Sequence, residues 1–230
     1  MIRRKHFGLA ALWCLAALFA PDAGRVRGAA AQSGGEKSQS EVDDAVIARI
    51  WEGVQAAQTK FQSGCGRISE IRSSKLLAHP LHFRGKFCAS GTEKFSLEYF
   101  EPERIRLVFN RDYLNVTTGK DKRITEVLDV GSNVRRTQKY LSGKDSITNL
   151  HKQFSITIKE SSSAYSMKFV PRTLRFKQKI NYVTVTLRKS DFLLSSLELD
   201  GKSGVNSLFV IDIENTNQDT GEDPYTIYRP

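Results

Sequence analysis

The sequence predicts an α+β fold: one long antiparallel sheet of about ten or eleven strands, strongly curved into an unclosed half-barrel, with an N-terminal helix and a short inserted helix over its dry face. Three observations carry this. Apolar and polar residues alternate with period two through most of the region 61–213, the pattern of strands with one dry and one wet face. Short turn sequences such as Asn110-Arg111-Asp112 and Gly119-Lys120-Asp121 separate the runs, which makes neighbours pair as a meander. Helical periodicity occurs in only two long stretches, 40–60 and 145–154. A sheet this long curls, and two helices do not fill it, so room for an apolar cavity is expected.

Residues 1–31 read as a signal peptide. Met1–His6 is basic, and Phe7–Ala20 is an apolar run of fourteen, too short for a comfortable membrane span. Ala29-Ala30-Ala31 offers a cleavage site before Gln32. The gap between run and site is long and holds Arg25 and Arg27, which leaves a retained anchor as the alternative. Residues 32–39 form a polar linker, and 40–230 read as a single domain.

The first helix starts at Ser40, with Asp43 in a capping-box-like position. Val42, Val46, Ile47, Ile50, Trp51 and Val54 form its apolar stripe, the mark of a helix packed on a sheet. The first strand is expected at 61–72, with Phe61 and Ile68 as apolar weight and glycines at 64 and 66. The second, Leu81–Ala89, puts Leu81, Phe83, Gly85 and Phe87 inward and His82, Arg84 and Lys86 outward. The third, Lys94–Glu101, puts Phe95, Leu97 and Tyr99 inward and Ser96 and Glu98 outward.

A hairpin of the first two strands centred between Leu76 and Leu77 sets Cys65 opposite Cys88. The same register sets Phe87 opposite Gly66 and Gly85 opposite Ile68. Two facing cysteines in an exported chain point to a disulfide at the hairpin's edge; two free thiols are the alternative.

Further strands are expected at 104–109, 113–118 and 122–130. In the first of these Ile105, Leu107 and Phe109 face inward and Val108 outward. A basic connection, 131–143, leads to a short helix from Asp145 or Ser146 through Phe154. Five strands follow, at 155–159, 165–170, 182–187, 193–199 and 208–213. Between two of them, 171–180 sets Leu174, Phe176 and Ile180 among Arg172, Arg175, Lys177 and Lys179. It reads as a membrane-facing loop, a lid or a solvated connection. The tail is polar, with a late strand expected at Tyr225–Tyr228.

The formal charge of +10 overstates the exported chain, because the first 31 residues hold five cations against one anion and leave +6. The cations are scattered rather than clustered, which argues against a nucleic-acid partner and for mild attraction to anionic membrane surfaces. Beyond the signal the histidines are His79, His82 and His151. No nucleophile motif, phosphate loop or metal-ligand cluster accompanies them, so no catalytic residue, metal or cofactor is expected.

The order of parts carries a resemblance. A helix ending WEGVQAAQTKFQ, an aromatic hairpin, the run EKFSLEYFEPERIRLVFN, an inserted helix and a closing meander ending SLFVIDIE together resemble the LolA-like family of periplasmic lipoprotein carriers. The similarity spans about 41–214, with Phe95-x-Leu97-Glu98-Tyr99 before Pro102 its strongest piece. It implies an unclosed barrel with helical lids, an acyl-chain cavity, a periplasmic location and no enzyme activity. It also implies a lipid or lipoprotein cargo carried by a monomer between an inner-membrane donor complex and an outer-membrane acceptor. By the resemblance, Phe87, Phe95, Leu97, Tyr99, Leu107, Phe109, Ile147 and Leu150 face the cavity, and the helix near 145–154 is the lid, partnered by the first helix. One family feature is missing: Gly91 stands where the family's lid-latching arginine falls. A sensor or adaptor that binds a lipid or protein partner with the same half-barrel is the alternative reading.

Overall fold

The computed structural model describes residues 40–91, 93–119, 123–129, 146–217 and 223–227. Helix α1 (Ser40–Lys60) leads into six strands, β1 (Ser63–Ser74), β2 (Leu81–Ser90), β3 (Lys94–Glu101), β4 (Ile105–Asn110), β5 (Tyr113–Thr118) and β6 (Arg123–Asp129). Helix α2 (Ser146–Gln153) is followed by β7 (Phe154–Glu160), β8 (Ala164–Pro171), helix α3 (Leu174–Lys177), β9 (Ile180–Arg188), β10 (Leu194–Gly201) and β11 (Val205–Thr216).

The eleven strands among the described residues form one antiparallel sheet in the order β6-β5-β4-β3-β2-β1-β11-β10-β9-β8-β7. It is two meanders joined where β1 pairs with β11. The sheet is unclosed, with β6 and β7 as its ends.

The expected hairpin register is the observed one: Cys65 faces Cys88, Gly66 faces Phe87 and Ile68 faces Gly85. Cys65 and Cys88 form the disulfide. It lies mid-sheet rather than at an edge, because β11 closes on the other side of β1. Two glycines let the central strands bend. A Cβ on Gly66 would collide with the Asp212 carbonyl, and one on Gly85 with the Glu98 carbonyl. Register shifts sit beside both, at Cys65/Gly66 against β11 and at Arg84/Gly85 against β3. Bulges beside glycines are how a long sheet is curved.

Several expectations need correction. Phe154 opens β7 instead of ending the inserted helix, and it is buried, which suits a strand facing the core. The 171–180 connection contains α3, and its Phe176 ring lies 5.1 Å from that of Phe154, so one of its apolar side chains is used in packing. No strand forms at 225: Asp223–Ile227 is a turn and coil. Ser96 and Val108, expected outward and wet, are buried. The readings for residues 1–39 and for the basic connection 131–143 lie outside the described residues.

The core lies on the face covered by the helices, termed the inner face. Ile50, Trp51 and Val54 of α1 and Leu150 of α2 join Ile68, Phe83, Phe87, Leu97 and Tyr99 in one cluster with the inward residues of β7–β11. The α1 stripe is therefore buried as its spacing requires.

Candidate functional site

Strand pairing places the candidate residues in cross-strand rows. Phe87 faces Leu97, Leu97 faces Leu107 and Leu107 faces Val116. One row over, Ala89 faces Phe95, Phe95 faces Phe109 and Phe109 faces Leu114. Tyr99 stands in the row on the other side, between Gly85 and Ile105. Six of the eight candidates thus share the inner face of three adjacent strands, because all of them sit in one phase of a period-two pattern. Phe87, Leu97, Tyr99 and Phe109 are buried, and Phe95 and Leu107 are half-buried.

Leu150 reaches the same cluster from α2. The Ile147 side chain lies outside the described residues. Phe109 and Leu114 form a second, smaller cluster that shares Phe95 and Leu107 with the first.

A polar node, not singled out from the sequence, interrupts this apolar face. Glu70 is 1% exposed. Its carboxylate accepts from Arg72 Nε at 2.8 Å and Nη2 at 3.1 Å, from the Tyr99 hydroxyl at 2.6 Å and from Ser207 Oγ at 2.8 Å. The Arg72 guanidinium also lies 4.6 Å from the centre of the Phe83 ring. Burial, then the charge and hydrogen bond of Glu70, push the Tyr99 phenol far above its usual pKa, so it stays neutral and donates. A buried charge is tolerated when its oxygens are filled in this way. The signal was present: Gly64, Gly66, Ile68, Glu70 and Arg72 share one phase of β1, so Ile68 on the dry face puts Glu70 there too.

Trp51 supplies the second polar feature. Its Nε1–H is buried and meets no hydrogen-bond acceptor among the described residues. A buried donor left unpaired costs about 1–3 kcal/mol.

Gly91 turns β2 into β3 at φ 54°. That left-handed backbone favours glycine.

No helix among the described residues is long and apolar enough to cross a membrane, and no group of three or more His, Cys, Asp or Glu side chains among them could hold a metal ion.

No family model and no curated protein matches the sequence. Solved structures do match in fold. An uncharacterized conserved protein of Thermus thermophilus is 8% identical, with a TM-score of 0.48 over 76% of this chain and 90% of that one. A LolA superfamily protein of Nitrosomonas europaea is 12% identical, with a TM-score of 0.36 over 76% and 95%. A chain of the MucA/MucB complex of Pseudomonas aeruginosa is 11% identical, with a TM-score of 0.45 over 78% of this chain and 61% of that one. These are likenesses of fold at low identity.

Proposed function

We propose that this chain is a periplasmic carrier that shelters the acyl chains of a lipid or lipoprotein on its inner face and moves them from inner to outer membrane. The observation that carries this is the pair of cross-strand rows, Phe87-Leu97-Leu107 and Phe95-Phe109, on a curved sheet with two open ends. Each buried methylene is worth about 0.8 kcal/mol, so a chain of about sixteen carbons needs on the order of 10 kcal/mol of shelter to cross water. The aliphatic and aromatic rows on one side of the Glu70 node meet that need without any reactive group. The cluster is closed by α1 and α2, so loading requires the helices to move off the rows and the acyl chain to take their place.

Native mass spectrometry of the protein purified from a periplasmic extract, followed by lipid extraction, tests the reading. Co-purifying phospholipid, glycolipid or acylated protein is the expected result and names the cargo class. Replacing half-buried Leu107 with Glu is expected to abolish fluorescent fatty-acid uptake while the protein stays folded by circular dichroism. A clean apo mass with no uptake by the parent protein overturns the carrier and leaves the sensor or adaptor.

A further inference from the structure

The sheet has two rims, and they differ. Arg72 faces Leu81, Ser74 faces Val205, Arg84 faces Glu101 and Gly201 faces Ile180. These pairings bring the β1–β2 loop, the β3–β4 turn, the β10–β11 turn and the α3 connection to one end of the sheet. The Lys202 N–H donates to the Lys179 carbonyl at 2.9 Å and ties two of them together.

Most of the exposed large apolar side chains gather at this end. Leu76 is 93% exposed and Leu174 71% exposed, and Ile71, Leu77, Leu81 and Phe100 lie along the same end. The opposite rim, made of the β2–β3, β4–β5, β7–β8 and β9–β10 turns, shows Tyr113 alone in this class among the described residues.

Charge follows the same division. Lys75, Arg172, Lys177, Lys179 and Lys202 are exposed on the apolar rim. Against them the rim sets Glu101, paired with Arg84, Asp200, which accepts from Asn181, and exposed Glu103, so the cations outnumber the acids.

We propose that this rim docks on an anionic lipid bilayer. Leu76 of the β1–β2 loop and Leu174 at the start of α3 enter the interface, while the five cations meet the lipid phosphates. Scattered leucines interleaved with lysines suit a bilayer, whose surface is fluid and negative. A protein partner would call for a contiguous, charge-poor apolar centre. The surface does not depend on the carrier reading, but it serves it. Arg72, half-buried at the rim end of β1 over Phe83, would face the membrane from which an acyl chain arrives.

Flotation of the purified exported chain with vesicles tests the proposal. With phosphatidylcholine alone the protein stays at the bottom of the gradient; with phosphatidylglycerol added it floats, and salt reverses this. Leu76→Asp and Leu174→Asp are expected to weaken flotation about tenfold each, and removing one rim cation about fivefold. Both leucines are exposed, so neither change touches the core. Val210→Asp, on an exposed outward residue of β11 away from the rim, leaves flotation unchanged. The proposal fails if anionic vesicles do not carry the protein, if the leucine variants float like the parent, or if Val210→Asp loses as much. Association with native membranes but not with pure lipid would also overturn it, in favour of a membrane protein partner. A protein that co-purifies with lipid yet does not float loses the rim and keeps the carrier.

Discussion

The two wings of the sheet bury their strands differently. In β8–β10, burial is one-sided: Tyr165, Met167, Phe169, Val183, Val185, Leu187, Leu197 and Leu199 are buried, and the residues between them are partly or fully exposed. In β3–β5, both faces are closed. Leu97, Tyr99, Phe109 and Leu114 are buried inward, and Ser96, Val108, Asn115 and Thr117 are buried outward. The C-terminal turn makes part of the difference. Arg106 donates to the carbonyls of Pro224 and Thr226, and Asn110 to that of Tyr225, at 2.8–3.2 Å. Val108, between those two arginine and asparagine anchors, has no exposed surface. Tyr225 is itself buried, with the Lys94 ammonium 5.6 Å from its ring centre. One wing is thus a simple two-layer sandwich of helix and sheet, whereas the other carries a strap on its back.

The largest expected effect falls on what joins the wings. Glu70 holds Tyr99 of one wing and Ser207 of β11 in one network. Glu70→Ala strands the Arg72 charge and two hydroxyls, and should cost about 4 kcal/mol in urea denaturation. Loss of protection in both wings by hydrogen exchange is expected; loss in one alone would make the wings separate folding units.

Gly85→Val comes next. Its side chain must displace the Glu98 backbone at the bend, at a cost of about 3 kcal/mol, and the same denaturation measures it. An unchanged midpoint would show that the bend is not where the wings are set against each other.

The strap contributes less. Tyr225→Ala should cost about 2 kcal/mol and raise amide exchange in β4 and β5 while sparing β9 and β10. Burial, then the nearby Asp223 charge, raises the Tyr225 phenol from 10.0 to about 12. Its stabilising contribution is therefore complete below pH 10 and is lost as pH rises from 10 towards 12. Unfolding midpoints across that range should fall in the parent and fall less steeply in Tyr225→Phe, the remaining slope coming from the buried Tyr99 phenol. The smallest effect belongs to the one-sided wing: Thr184→Ala, on the outer face of β9, should stay within about 0.5 kcal/mol of the parent.

The contrast explains what could be read ahead of the structure. Alternation in β2 and β3 placed Phe87, Phe95, Leu97 and Tyr99 on one face, and the cysteine pair marked the β1–β2 register. Both depend on near neighbours in the chain. Glu70 was equally legible by phase but was hidden by its charge, since a glutamate on a dry face has meaning only once its partners on β3 and β11 are known. Val108 was misread because the turn anchored on either side of it, at Arg106 and Asn110, comes from residues more than a hundred positions later, and Ser96 is its cross-strand neighbour.

The sequence by itself determined the strands, their order in the two meanders, the inward face and the disulfide, because side-chain alternation and short turns act locally. Only the tertiary structure decided that β11 closes against β1, that one back is strapped, and that the loops bearing Leu76 and Leu174 share a rim. Those depend on which distant surfaces meet when the sheet coils, and the free energy of such meetings is written in no single stretch of chain.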